Sequence, residues 1–280
     1  MMKRLFFYFV LFLIVENVNA QKLHLTTFAG ISNYQGDLQD ASITFNQSHL
    51  ALGIGLAYEI TDQLYATASI KFGKISGTDS KSNVNQSRNL SFTSPLSAFQ
   101  FGAEYDIFSL YEHKFTPYVF AGLSVYHFNP AAIDTAGIKQ LLQSLSTEGQ
   151  GFYNGRTRYK LTQISIPLGA GVKFVLNDKV RIGLEMTFNK LFTDYLDDVS
   201  TTYVDEALLI ANRGTIAAGL AYRGYEINHA ASYPAGGTTR GNPSNKDWFY
   251  FTGLTVSFRL GEPEPRYGGE SRLDCPQNVF

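Results

Sequence analysis

Apolar and polar residues alternate with period two through eight segments of the chain, at 22–34, 49–61, 63–77, 89–108, 115–129, 159–176, 179–196 and 248–260. Alternation of that kind is the signature of β-strands with two unlike faces. In the second segment Leu50, Leu52, Ile54, Leu56, Tyr58 and Ile60 share one face, opposite Ala51, Gly53, Gly55, Ala57 and Glu59. The sixth sets Ile164, Ile166, Leu168, Ala170, Val172 and Phe174 against Gln163, Ser165, Pro167, Gly169, Gly171 and Lys173. The seventh and eighth segments repeat the pattern. A water-soluble β-sandwich would alternate too, so periodicity alone leaves two architectures open.

Length and loop sorting separate them. Most segments run ten residues or more, where sandwich strands average about five or six, and a tilted strand crossing a bilayer needs about nine to eleven. Connections after the second, fourth and sixth segments are short, whereas those after the first, third, fifth and seventh are long. Outer-membrane barrels sort their loops in this way, with short periplasmic turns and long external loops. The expectation is an all-β fold: an eight-stranded antiparallel transmembrane β-barrel with short helices in the external loops. Helices are expected at about 138–145, ended by Gly149, and around 203–211.

If the apolar faces meet lipid, the lumen receives Glu59, Lys71, Glu104, Asp106, Lys173, Arg181, Glu185 and Arg259, four acids against four bases. An eight-stranded barrel is just wide enough for side chains to fill it, and unpaired buried charge is costly. The set therefore predicts a charge network that plugs the barrel.

The ends of the chain read differently. Lys3 and Arg4 precede an apolar run over 5–15 and the small-residue step Val18-Asn19-Ala20. Residues 1–20 are thus expected to be an export signal, with a barrel domain over 21–260 and a periplasmic tail over 261–280. Eleven apolar residues are too few for a membrane helix, and no second long apolar run follows. The leader takes two bases and one acid from the 23 Lys+Arg and 24 Asp+Glu, leaving a net charge near −2. That balance gives nothing to support a nucleic-acid surface. The 17 Tyr, 22 Phe and 25 Gly against 17% charged residues suit an exported barrel. Cys275 is the one cysteine, so no internal disulfide forms.

The search for chemistry finds little. Asp194, Asp197 and Asp198 lie within five residues and offer oxygen ligands to a calcium ion, or side chains that clamp a loop. His24, His49, His113, His127 and His229 form no metal-binding pair, and no nucleophile elbow or phosphate loop occurs. Ser124 and His127, a conceivable lipid-hydrolase pair, lie three apart on one strand and face opposite sides. No enzyme, cofactor or small-molecule substrate is expected. The readings that remain are a structural part, an adhesive barrel and a narrow passive channel.

Several stretches carry a resemblance. Gly30-Ile31-Ser32-Asn33-Tyr34-Gln35-Gly36-Asp37-Leu38, Arg88-Asn89-Leu90-Ser91-Phe92, and Thr116-Pro117-Tyr118-Val119-Phe120-Ala121-Gly122 running to Phe128-Asn129-Pro130 are among them. Thr147-Glu148-Gly149-Gln150-Gly151 and Thr193-Asp194-Tyr195-Leu196-Asp197-Asp198-Val199-Ser200 complete the set. In order, they resemble a Bacteroidota outer-membrane β-barrel family that includes the type IX secretion protein PorG. The Leu145-Ser146 step departs from the Leu-Gly of that pattern. The resemblance implies a non-enzymatic part of a secretion and gliding machine that associates with periplasmic ring proteins. It also implies that Thr147, Glu148, Gly149, Asp194, Tyr195, Asp197 and Asp198 hold external loops in place.

Overall fold

A computed structural model describes residues 22–39, 47–81 and 85–261. The expected signal at 1–20 and most of the expected tail at 261–280 lie outside the described residues. Eight long strands form the wall: β1 (Leu23–Gln35), β2 (His49–Glu59), β3 (Leu64–Thr78), β4 (Ser91–Asp106), β5 (Phe115–Phe128), β8 (Thr162–Val175), β9 (Val180–Leu191) and β10 (Trp248–Arg259). Each pairs antiparallel with its neighbour, and β1 closes on β10 with His24 opposite Arg259 and Gln35 opposite Trp248. A short hairpin, β6 (Ala131–Ile133) with β7 (Lys139–Leu141), continues the wall above β4. The result is a closed eight-stranded antiparallel barrel, as the alternation predicts.

Residue 60 to 63, 107 to 114 and 176 to 179 make the short connections, and both ends of the described wall lie at that mouth. The long loops gather at the other. Through the middle of the wall the large aliphatic side chains turn outward, while toward the long loops Ile75, Leu96 and Leu191 turn in. Leu52, Leu123, Ile164 and Leu254 expose 52%, 52%, 60% and 64% of their surface. Side chains of this size exposed in a continuous band around a closed sheet have lipid as their partner. Aromatic side chains mark the band's rim, with Phe115 and Phe174 4.8 Å apart near the short turns and the Lys190 ammonium 5.7 Å over the Trp248 ring at the other edge. The architecture is that of an outer-membrane barrel.

The inward face is small where strands crowd. Gly30 faces Gly253 across the closing seam, and a Cβ on Gly30 would overlap the Thr252 carbonyl. Narrow tubes need this close backbone approach.

The external loops hold α1 (Leu142–Leu145), α2 (Glu206–Arg213) and α3 (Thr215–Ala221). The helix expected over 138–145 is cut to its second half, because 139–141 pair with β6 instead. Asp134 fixes that hairpin by accepting from the Ala136 and Ile138 amides, and Gly137 supplies a φ of 81°. The helix ends at Ser146, whose φ is 53°, and not at Gly149. Around 203–211 the expected helix starts at Glu206, where the Asp205 side chain accepts from the Leu208 amide at 3.1 Å. The helix α3 behind it carries no comparable capping signal and escapes the sequence reading.

Lipid contact is testable at Leu123, near the middle of β5. On a water-soluble barrel Leu123→Arg would be close to neutral; in a bilayer it is expected to cost about 2–4 kcal/mol. Reversible denaturant unfolding in lipid vesicles measures the difference.

Candidate functional site

The interior is built in layers from the short-turn mouth outward. At the bottom, Tyr111 from the β4–β5 turn donates to Glu59 Oε1 at 2.5 Å and accepts from Arg259 Nη2 at 2.7 Å. Arg259 also pairs with Glu59 at 3.2 Å, and His24 Nε2 lies 3.5 Å from the same carboxylate. One turn higher, Lys173 bridges Glu104 and Asp106, with the second contact at 3.0 Å. Arg181 donates to the Tyr65 hydroxyl at 3.0 Å. Lys71 then pairs with Glu185, which also accepts from Tyr118 and Thr187 at 3.1 and 2.9 Å. All eight lumen residues named from the sequence thus point into the barrel. A cavity of about 70 Å³ remains among Lys71, Gln100, Tyr118, Lys173 and Glu185, with room for a few waters beside these polar groups.

Above this the lumen turns apolar. Phe28, Phe249, Phe251, Tyr126, Phe128 and Leu191 are buried in one cluster with Leu196 and Tyr159 of the loops. Tyr126 stacks on Phe128, Phe128 on Tyr159 and Tyr159 on Tyr195, so aromatic rings climb from the barrel into the cap.

The cap is a hydrogen-bonded clamp centred on Glu148. Its Oε1 accepts from the Ser200 amide at 2.9 Å and from Arg240 Nη1 at 2.9 Å. Its Oε2 accepts from the Thr201 amide, the Thr201 hydroxyl and the Tyr195 hydroxyl at 3.0, 2.6 and 3.1 Å. A fully buried carboxylate so surrounded ties the β5–β8 loop to the β9–β10 loop. Asp198 accepts from Thr147 and Tyr159 hydroxyls at 2.5 and 2.7 Å. Asp197 accepts from the Tyr34 hydroxyl and from the Val199 amide at 2.9 Å. Arg88 holds Asp79 through Nε and Nη2 at 2.8 and 2.7 Å, and reaches the Asp37 and Arg240 carbonyls. Gly149 turns with a φ of 79°, and a Cβ there would meet Tyr153 and Val204. Burial pushes the Asp198 carboxyl up to about 6, against the pull of Arg240.

Asp194 does not join the other two. Asp197 and Asp198 spend their oxygens on separate partners, and both oxygens of Asp194 are buried without a well-formed hydrogen bond. Among the described residues no three His, Cys, Asp or Glu side chains are arranged to hold a metal ion. The calcium arrangement considered for Asp194, Asp197 and Asp198 is therefore not assembled; hydroxyl and amide donors supply what an ion would. Ser124 is buried inside the barrel, while His127 is exposed on the outer wall and meets Thr162 at 2.9 Å. The strand pleat keeps that pair apart.

Arg240 and Asp247 were not singled out from the sequence. Arg240 lies 92 positions from the Glu148 it pairs with, in a Gly- and Thr-rich stretch that carries no motif. Asp79 likewise has no sequence signal. Arg88 and Tyr34 lie in stretches quoted for the resemblance, and that was the available pointer to them.

Two variants test the clamp. Glu148→Ala strands the Arg240 guanidinium in the interior, and removing one partner of a buried pair costs about 3–5 kcal/mol. Protease digestion should then cut the 192–247 and 129–161 loops while the β4–β5 ladder stays protected. Ser146→Gly relieves a left-handed residue and deletes a buried hydroxyl with no partner. A gain of about 1 kcal/mol is expected, read as a raised melting temperature.

Solved structures offer distant likenesses. Neisserial surface protein A aligns at 11% identity over 85% of this chain and 97% of its own, with a TM-score of 0.42. OprG from Pseudomonas aeruginosa gives 10%, 85%, 97% and 0.39. Ail of Yersinia pestis, in complex with the heparin analogue sucrose octasulfate, gives 10%, 84%, 97% and 0.38. At such distances function does not transfer, and the fold stands on the chain's own strand pairing. No curated protein matches the chain in sequence. A family profile matches residues 3–211, three quarters of the length, and the chain belongs to that family, described as Domain of unknown function (DUF6089).

Proposed function

We propose that this chain is a non-conducting outer-membrane barrel that serves as a structural, anchoring part of a type IX protein secretion (gliding) machine and contacts its periplasmic ring. One observation carries the reading. Tyr34, Arg88, Glu148, Asp197 and Asp198, each from a stretch that resembles the PorG-containing family, meet in one buried clamp over a filled lumen. The polar groups of these five residues bond to one another and to the loop backbone, which favours a role in rigidity. The short turns and residues 261–280 are the parts available to a periplasmic ring. The turn over 107–114 is the largest of them and exposes Ile107 and Phe108 beside His113.

A second reading, a structural or adhesive barrel without a secretion role, draws on the exposed Ile133, Ile138 and Ile227 of the external loops.

Affinity purification of the tagged barrel after gentle extraction tests the choice. Ring proteins should come with it, and deletion of residues 261–280 should reduce their yield several-fold. Recovery of the barrel alone removes the secretion role and leaves the second reading. In planar bilayers the barrel should give no stepwise conductance; regular steps would favour the narrow channel.

A further inference from the structure

The cap buries more acid than base. Among the described residues Asp79, Glu148, Asp194, Asp197, Asp198 and Asp247 of the cap are buried, against two buried arginines, Arg88 and Arg240. Arg88 is taken by Asp79 and Arg240 by Glu148. Asp197 and Asp198 are met by hydroxyl and amide donors. Asp194 and Asp247 are left short, although they are only 3% and 1% exposed. Asp194 has no well-formed hydrogen bond, only the Ser200 hydroxyl close by, and of Asp247 only Oδ2 has one, from the Leu196 amide at 2.8 Å. A bare carboxylate cannot be left in that state at no cost.

The two residues stand at the base of the same loop. Asp194 follows β9, Asp247 precedes β10, and the Asp247 amide donates to the Thr193 carbonyl at 3.3 Å. What faces them is mostly acid. Asp37 and the Tyr34 hydroxyl approach from the end of β1, Asp197 from their own loop and Glu148 from the β5–β8 loop. Tyr126 faces Asp247 from β5, with a hydroxyl that has no partner. Ser200 lies beside Asp194, and Lys246 is the nearby cation, exposed and bonded to the Pro243 carbonyl. Neutralisation needs a metal or a proton, and among the described residues no trio of acids is placed for a metal.

We infer that Asp194 and Asp247 form a proton-operated latch on the external cap. Protonated, they let the 192–247 loop seat in the barrel mouth; ionised, they repel Asp37, Asp197 and Glu148 and loosen it. Burial, which dominates, raises the Asp194 carboxyl to about 7 and lifts Asp247 well above the usual carboxylate range. In an opened loop both would return to about 4. The seated state therefore holds more protons than the open one, so the latch is tightest in acid and slackens as pH rises toward 7. The inference is independent of any secretion role.

Hydrogen exchange on the full chain in lipid vesicles reads the latch through the Leu196, Ser200 and Thr201 amides, corrected for intrinsic exchange. Opening of these amides should rise with pH, by up to about tenfold per unit for each group between pH 5 and 7, while β4 amides stay constant. Asp194→Asn and Asp247→Asn should each flatten the slope, and Asp62→Asn in a short turn should not. Should Asp194→Asn fail to fold, Asp247→Asn alone decides, with emission of the single tryptophan, Trp248, as a second signal. A slope absent from the unsubstituted chain, or unchanged in the Asn variants, overturns the latch. So does a slope that millimolar calcium removes and a chelator restores, since a cation would then be the neutralising group.

Discussion

A tube of eight strands is so narrow that its lining side chains touch across the middle. Any charge placed inside must be met there, because the wall's other side is hydrocarbon. That requirement explains why Lys71 reaches across the lumen to Glu185 on the opposite wall, and why Lys173 and Arg259 each reach past one intervening strand to Glu104 and Glu59. Lys71 and Glu185 are 114 positions apart in sequence, and Arg259 and Glu59 are 200. These pairs become neighbours only in a closed barrel, so the ion pairs and the strand order specify each other. Breaking one leaves a bare charge that no solvent can reach easily.

The two halves of the molecule answer the same requirement with different chemistry. Toward the short turns, opposite charges cancel by pairing, and aromatic rings such as Tyr118 and Phe28 lie against the ammonium groups at 4.5 and 4.8 Å. Toward the long loops, rings replace ions, and above them a carboxylate-rich clamp relies on hydroxyl and amide donors. Glu148 is the point where three loop segments meet, and its arginine partner ties a fourth through the Asp198 and Ala221 carbonyls. The cap is thus held by directional bonds to backbone, which fix geometry more tightly than apolar contact.

The wall was legible because a pleated strand with unlike faces writes its period into the sequence. Leu50 to Ile60 and Ile164 to Phe174 could be placed by counting, and the eight lumen charges came with them. Loop sorting was legible for the same reason: gaps between periodic segments can be measured. What stayed hidden has no period. The strand over 139–141 lies inside the stretch expected to be helix, and the group that decides is Asp134, which caps the turn before it. Arg240 was invisible because its role is set by three acceptors, the Glu148 carboxylate and the Asp198 and Ala221 carbonyls, which lie 19 to 92 positions away and meet only in the folded cap. The acidic run at 194–198 was legible as a cluster, but its division into two bonded aspartates and one without a well-formed bond depends on where Tyr34, Thr147 and Tyr159 arrive.

Tyr111 has a role in time as well as in space. Its hydroxyl sits between Glu59, which ends β2, and Arg259, which ends β10. Arg259 reaches that point only once the last strand has zipped against the first. The triad therefore records completed closure: a barrel still open along the β1–β10 seam lacks the Arg259 guanidinium that Glu59 and Tyr111 share. The described wall ends at Leu260, whose amide donates to the Leu23 carbonyl, so the seal sits where the first and last strands meet.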